Sequence, residues 1–151
     1  MARRASRRVC RRYRQFRAAL VEAVVGYAKD YFELGAEDDD DGTTVREALL
    51  AEWRNGGVEP ARLAQVVELP LAGRYLWDYW KELHKRRARG WDASPLSWPE
   101  IEAWLRVTNS LTGRTVEAWE VAAVLEIDDE LTAALEDERK RRAERDKAKG
   151  R

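Results

Sequence analysis

The single cysteine and the single histidine of the chain, Cys10 and His84, are the most plausible candidates for a nucleophile and a general base. Such chemistry needs the nucleophile and its base within hydrogen-bond reach, and a metal site needs several N, S or O ligands at fixed spacing. Cys10 lies among arginines near the N-terminus, whereas His84 follows Trp80 by one helical turn. Nothing in the sequence joins these two contexts. We therefore predict that the protein is not an enzyme and has no catalytic residues.

An acidic segment, AEDDDDGT at residues 36–43, has the composition of a calcium-binding loop. In an EF-hand alignment Glu37, Asp39 and Asp41 take the first, third and fifth positions. The twelfth position must supply a bidentate carboxylate, but here it is Ala48. We therefore predict a solvated acidic loop, with no metal and no cofactor.

Basic charge is concentrated at the two ends of the chain, although the net charge is zero. Residues 1–17 contain eight arginines and no acid, residues 138–151 carry eight basic and three acidic side chains, and residues 18–137 have a net charge of −13. A basic arm can bind nucleic acid or pair with an acidic protein surface, its own or that of a neighbour. The residues predicted to dock electrostatically are Arg3, Arg4, Arg7, Arg8, Arg11, Arg12 and Arg14.

Six of the seven tryptophans fall within residues 68–133. Large aromatic residues at helical spacing build cores and protein interfaces. Core packing is the simplest interpretation of Trp77, Trp104 and Trp119, whereas Trp91 and Trp98, in a loop and at a helix start, are better placed as exposed anchors. The residues predicted to bind a partner are Trp77, Trp80, Trp91, Trp98, Tyr13 and Phe16.

Apolar periodicity predicts helices along the chain and no convincing strand. A long amphipathic helix should end at Gly35, and a capping box of Thr44 with Glu47 should begin a short helix. A further short helical piece is predicted at 60–67, after Pro60.

The second half of the chain also contains helix start signals. A helix is predicted from about 71 to 88, and a second capping box, Ser97 with Glu100, should begin the next one. Thr115 and Asp128 should then cap two separate helices. Beyond residue 136 the sequence is nearly all charge, so a fraying extension is expected.

Together these signals predict an all-α protein: a small orthogonal helical domain with a long amphipathic N-terminal helix and a charged C-terminal helical extension. The predicted segments are an arginine-rich helix at 1–35, the acidic loop at 36–43, a compact helical domain at 44–136 and a charged tail at 137–151.

Three stretches within residues 68–133, LPLAGRYLWDYWKELHKRR, PLSWPEIEAW and LTGRTVEAWEVAAVLEID, resemble the tail assembly chaperones of tailed phages. The resemblance implies a non-enzymatic protein that binds the long helical tape-measure protein and keeps it soluble until tail-tube subunits polymerise around it. Residues 1–60, with the arginine-rich arm and the acidic loop, lie outside the resemblance.

We therefore predict a phage tail-morphogenesis factor that acts in the host cytoplasm during assembly and binds a helical tail protein. Homo-oligomers and binding of nucleic acid through the basic arm stay open, and no membrane partner is expected. The alternative is a structural virion or connector component whose basic arm contacts DNA or an acidic neighbouring subunit.

Overall fold

The computed structural model describes residues 2–38, 42–87 and 94–150, with side chains described for 11–38, 42–87, 94–148 and 150. The described part is helical, and its only β-type pairing is a single bridge between Glu37 and Thr44. This confirms the predicted all-α class. The α-helices are α1 (Ala2–Gly35), α2 (Val45–Gly56), α3 (Ala61–Ala64), α4 (Arg74–Arg86), α5 (Trp98–Thr112) and α6 (Ala118–Lys149), with a 3-10 helix at Leu71–Gly73.

The two longest helices, α1 and α6, run antiparallel and form the largest helix–helix contact in the described chain. At one end of the pair Arg17 contacts Glu117, which precedes α6, and at the other end Glu37 contacts Arg142. Residues 2–16 of α1 therefore extend beyond the start of α6. We call this segment the N-terminal overhang.

The core lies where α4 packs against the α1–α6 pair and α5 packs against α4. Burial of each large apolar side chain there stabilises the fold by about 1.5–3 kcal/mol. The largest contributors are Val24, Phe32, Leu76, Trp77, Trp80, Leu83, Ile101, Trp104, Val124 and Ile127.

Both predicted capping boxes are present. The backbone N–H of Thr44 donates to the Glu47 carboxylate at 2.9 Å, and the backbone N–H of Ser97 donates to the Glu100 carboxylate at 2.8 Å. The helices that follow are α2 and α5, so the two capping boxes determine where these helices begin.

The prediction of two separate helices after Thr115 is wrong. A single helix, α6, begins after Glu117, which forms its own capping box with Glu120. Thr115 does not cap it, and Asp128 is buried in its middle instead of starting a new helix.

The charged segment beyond Glu136 continues α6 to Lys149, which confirms the predicted C-terminal helical extension. Arg142 binds the Glu37 carboxylate at 2.6 Å, and the guanidinium of Arg145 donates to the Asp38 carbonyl. The acidic loop thus pairs with the basic end of α6. The predicted division into four segments stays a prediction.

Candidate partner-binding surface

An open groove of about 670 Å³ lies between the C-terminal half of α1, the segment at 66–69 and the middle of α6. We call it the apolar groove. Its apolar lining consists of Tyr27, Tyr31, Phe32, Leu34, Val66, Val67, Leu69, Leu131, Ala134 and Leu135. Arg46, Glu68 and Glu138 also contribute to it and supply its charges.

One wall of the groove is supported from inside by stacked aromatic rings. The Trp77 ring lies 5.1 Å from Tyr27 and 5.2 Å from Tyr31, and it stacks on Trp80 at 4.8 Å. Trp77 is 6% exposed and Trp80 is 4% exposed, so the chain itself covers both rings. In the described chain the Trp77 ring packs against Tyr27 and Tyr31 and supports them, and the partner-binding role predicted for Trp77 and Trp80 stays a prediction.

A second wall is held by a buried carboxylate on α1. Asp30 accepts a hydrogen bond from the backbone N–H of Val67 at 2.7 Å and forms an ion pair with Arg62 at 3.3 Å. Because charged hydrogen bonds are stronger than neutral ones, this contact fixes the extended segment at 66–69 against α1.

Asp128 connects α6 to α4 and to the segment just before α5. Its carboxylate accepts from the Trp80 indole N–H at 3.2 Å, from the Arg87 guanidinium and from the backbone N–H of Leu96 at 3.1 Å. His84 lies on the same side of α4 and stacks on Trp80 at 4.9 Å. Desolvation and the nearby Arg87 cation lower the pKa of His84, and Asp128 opposes that shift.

A third buried carboxylate, Glu120, holds the start of α6. It accepts from the Arg114 guanidinium and from the backbone N–H of Glu117 at 2.7 Å. Burial and the hydrogen bond to Glu120 raise the pKa of the Tyr75 hydroxyl. The carboxylates Asp30, Asp128 and Glu120 thus have structural partners, and none of them faces a reacting group in the described chain.

Three of the aromatic residues predicted to bind a partner are exposed. Tyr13 is 53% exposed, Phe16 is 55% exposed and Trp98, the first residue of α5, is 72% exposed. Trp91 lies outside the described residues. Trp98 is on α5 and the other two rings are on the overhang of α1, and these two helices are not among the main packing pairs of the described chain.

Arg11, Arg12 and Arg14 are exposed on the overhang and form no ion pair with a described residue. Arg17, just behind them, lies over the Tyr13 ring at 4.1 Å and over the Trp119 ring at 4.7 Å. The side chains of the remaining predicted docking residues, Arg3, Arg4, Arg7 and Arg8, lie outside the described side chains.

Sequence reasoning missed the apolar groove as a site. No motif marks its α6 residues, Leu131, Ala134 and Leu135, or the valines at 66 and 67. It also missed an exposed apolar stripe on α5, formed by Pro99, Ala103, Val107 and Leu111 at four-residue spacing. That spacing was visible in the sequence, because residues four apart share a helix face.

The described residues hold no group of three or more His, Cys, Asp or Glu side chains arranged to bind a metal. No described helix is both long enough and apolar enough to cross a membrane.

Comparison with known proteins gives one match. No curated protein and no solved structure matches the chain. A family model described as phage tail assembly chaperone matches residues 52–132, from the end of α2 to the middle of α6 and thus more than half of the chain. The chain therefore belongs to the phage tail assembly chaperone family, and its role lies in tail assembly.

Proposed function

We propose that the protein is a non-enzymatic chaperone that holds an amphipathic helix of a tail protein, such as the tape-measure protein, in the apolar groove. The observation that carries the proposal is the groove itself, with a volume of about 670 Å³ and a largely apolar lining that is open to solvent. Amphipathic helices bind in such grooves by burying the apolar side chains of one face. The result is reversible shielding of a surface that would otherwise aggregate.

The form of the groove favours a helical occupant. Two antiparallel helices border it, so a third helix can lie along them with its apolar stripe buried. Arg46, Glu68 and Glu138 then face the edges of that helix and can set its orientation. Because the wall is braced by Trp77, little reorganisation is needed on binding, which lowers the free-energy cost of association.

We retain Trp98 as a second proposed contact. Its ring is exposed at the first turn of α5, and rigid exposed indoles are frequent anchors in protein interfaces. A long helical partner could reach both surfaces, whereas a short peptide would fill only the groove.

Co-expression with the tape-measure protein of the same phage tests the proposal. The chain should increase the soluble fraction of that protein and co-purify with it. The variant Val67→Asp/Leu135→Asp places two charges in the groove and should abolish both effects. The matched variant Val58→Asp/Leu71→Asp places the same charges on exposed positions outside the groove and should act like the unchanged chain.

Circular dichroism must show that both variants remain folded. If the folded groove variant still solubilises the tape-measure protein as well as the unchanged chain does, the groove is not the binding site. If Trp98→Ala alone abolishes binding, the contact surface lies on α5 instead.

A further inference from the structure

A second concave surface lies at the other end of the α1–α6 pair from the apolar groove. It has a volume of about 510 Å³, and we call it the α1–α6 cleft. Its lining residues are Arg17, Ala18, Val21, Glu22, Val25, Trp119, Ala122 and Glu126. The family match and the proposed function leave this surface without a role.

The cleft combines an apolar floor with negative edges. Glu22 and Glu126 line it, and Asp129 continues the acidic edge one turn further along α6. All three are exposed, and they form no ion pair with a described residue. The cation in the lining, Arg17, is already paired with Glu117 at 2.5 Å. The cleft therefore suits a ligand that is both apolar and basic.

The N-terminal overhang has the complementary composition. It presents the exposed guanidinium groups of Arg11, Arg12 and Arg14 together with the exposed rings of Tyr13 and Phe16. Residues 1–17 contain no acid. The C-terminal end of the chain is also basic, but there the arginines of α6 already bind the acidic loop of the same chain.

The overhang cannot fill the cleft of its own chain. The overhang and one wall of the cleft belong to α1, which is one unbroken helix, so the overhang extends away from the cleft. The occupant must come from another molecule. From Trp119 to Asp129 α6 rises about 15 Å, a distance that about ten residues of the overhang can span.

We propose that the overhang of a second copy of this chain occupies the α1–α6 cleft. A two-fold axis near Arg17 places each overhang along the α6 of the other copy, which forms a closed dimer with two identical contacts. The arginines then meet Glu22, Glu126 and Asp129 of the partner copy. A second copy is favoured over nucleic acid because the acidic body, with a net charge of −13 over residues 18–137, attracts the overhang and repels a polyanion.

Analytical ultracentrifugation of the full chain tests the proposal. The chain should be dimeric at about 50 mM salt and shift towards monomer at about 500 mM, because exposed charges are screened. The variant Arg11→Gln/Arg12→Gln/Arg14→Gln should weaken the dimer about tenfold or more, since three exposed ion pairs are lost. A control with an equal change of charge on exposed residues elsewhere, which should leave the dimer intact, is Lys85→Gln/Arg86→Gln/Arg106→Gln.

The cleft side is tested by reversing its charge. Glu22→Lys/Glu126→Lys/Asp129→Lys should dissociate the dimer. Combining it with Arg11→Glu/Arg12→Glu/Arg14→Glu in one chain should restore the dimer, because both partners of each contact are exchanged. A loss of folding cannot produce this restoration, so the result separates a direct contact from general damage.

Cross-linking locates the contact. Cys10 is the single cysteine of the chain and belongs to the overhang. A copy with its natural Cys10 is mixed with a Cys10→Ser/Ala122→Cys copy and treated with a short bis-maleimide. A heterodimeric product is expected, and a Cys10→Ser/Leu111→Cys copy, which carries its cysteine on α5, should give none.

Three results would overturn the proposal: a monomer at about 50 mM salt, a dimer that the overhang and cleft variants leave unchanged, or cross-linking at residue 111 alone. A monomer that shifts duplex DNA through the overhang would assign the arginines to nucleic acid. The groove variant Val67→Asp/Leu135→Asp should leave the dimer intact. Failure of the dimer proposal is therefore distinguishable from failure of the proposed binding of a tail-protein helix in the apolar groove.

Discussion

Asp128 and Arg87 form an ion pair that is buried on both sides and joins the middle of α6 to the end of α4. The same carboxylate also accepts from the backbone N–H of Leu96, just before α5. One side chain thus holds residues 87 and 96, on either side of the loop that connects α4 to α5. This contact therefore helps to position α5, whose main helix contact is with α4.

We expect Asp128→Ala to lower the free energy of unfolding by about 3–5 kcal/mol, since it leaves the Arg87 guanidinium buried without its counter-charge. In a domain of this size the midpoint of thermal unfolding should fall by about 6–20 °C. Asp146→Ala, an exposed change on the same helix, serves as the control and should change stability by no more than about 0.5 kcal/mol. Urea unfolding followed by circular dichroism measures both, and equal stabilities would contradict this account.

Gly73 is expected to tolerate no side chain. A Cβ atom at this position would overlap Val24 Cγ2 and lie 3.2 Å from both Leu20 Cδ1 and Pro70 Cγ. Gly73→Ala should therefore destabilise the fold by about 1–3 kcal/mol by forcing the 3-10 helix away from α1. Thermal unfolding provides the measurement.

Gly56→Ala is the matched control for that change, because nothing lies within 4 Å of a Cβ atom there. It should leave stability unchanged or raise it by up to about 1 kcal/mol, since alanine favours a helix over glycine. Combining Gly73→Ala with Val24→Ala should cost less than the sum of the two single changes, because the second makes room for the first. Strict additivity would show that the two sites do not touch.

Stability should depend on the protonation of His84. Its pKa lies below the ordinary value of 6.5, because desolvation and Arg87 disfavour the imidazolium. The unfolded chain then binds the proton more readily than the folded one, so stability is highest above pH 6.5 and declines as the pH falls towards the folded pKa. His84→Gln should show a smaller loss of thermal stability between about pH 7.5 and about pH 5.5.

The pKa itself can be measured directly, because the chain has a single histidine. An NMR titration of the imidazole protons should give a midpoint below 6.5 in the folded protein. A midpoint at or above that value would show that the attraction of Asp128 exceeds the opposing effects.

Thr44→Ala should loosen α2 without unfolding the domain. It removes one side of the capping box, which normally contributes about 1 kcal/mol, while α2 contains no buried residue. Amide hydrogen exchange within α2 should therefore be about fivefold faster, with little change in the unfolding of α4 and α6. Glu52→Ala, an exposed change in the middle of α2, should leave exchange nearly unaltered.

Local signals in the sequence were enough to predict several helix starts. The boxes at Thr44 and Ser97 work because the cap and its partner lie three residues apart. The continuity of α6 could not be predicted in the same way. Asp128 looks like a cap because aspartate favours that position, yet it is buried in a helix by partners that lie 32 to 48 residues away.

The candidate site, too, could be predicted from the sequence only in part. The sequence context assigned Trp77 and Trp104 to the core and Trp98 to the surface, as the structure has them, but it did not predict that Trp80 is covered as well. Trp77 and Trp80 are covered because α1 supplies Tyr27, Tyr31 and Phe32 from a distant part of the chain. The groove arises from the antiparallel pairing of α1 and α6, a long-range relationship that local periodicity does not encode.

Because α1 is one continuous helix, a movement of one end displaces the other end as well. From Arg17 to Phe32 the helix rises about 22 Å, so a tilt of about 5° pivoting at Arg17 moves the Phe32 ring by about 2 Å. A displacement of that size is comparable to the shift between two alternative packing arrangements of neighbouring side chains. The arginine-bearing tip and one wall of the apolar groove therefore belong to one continuous helix, so a tilt of that helix would change the width of the groove.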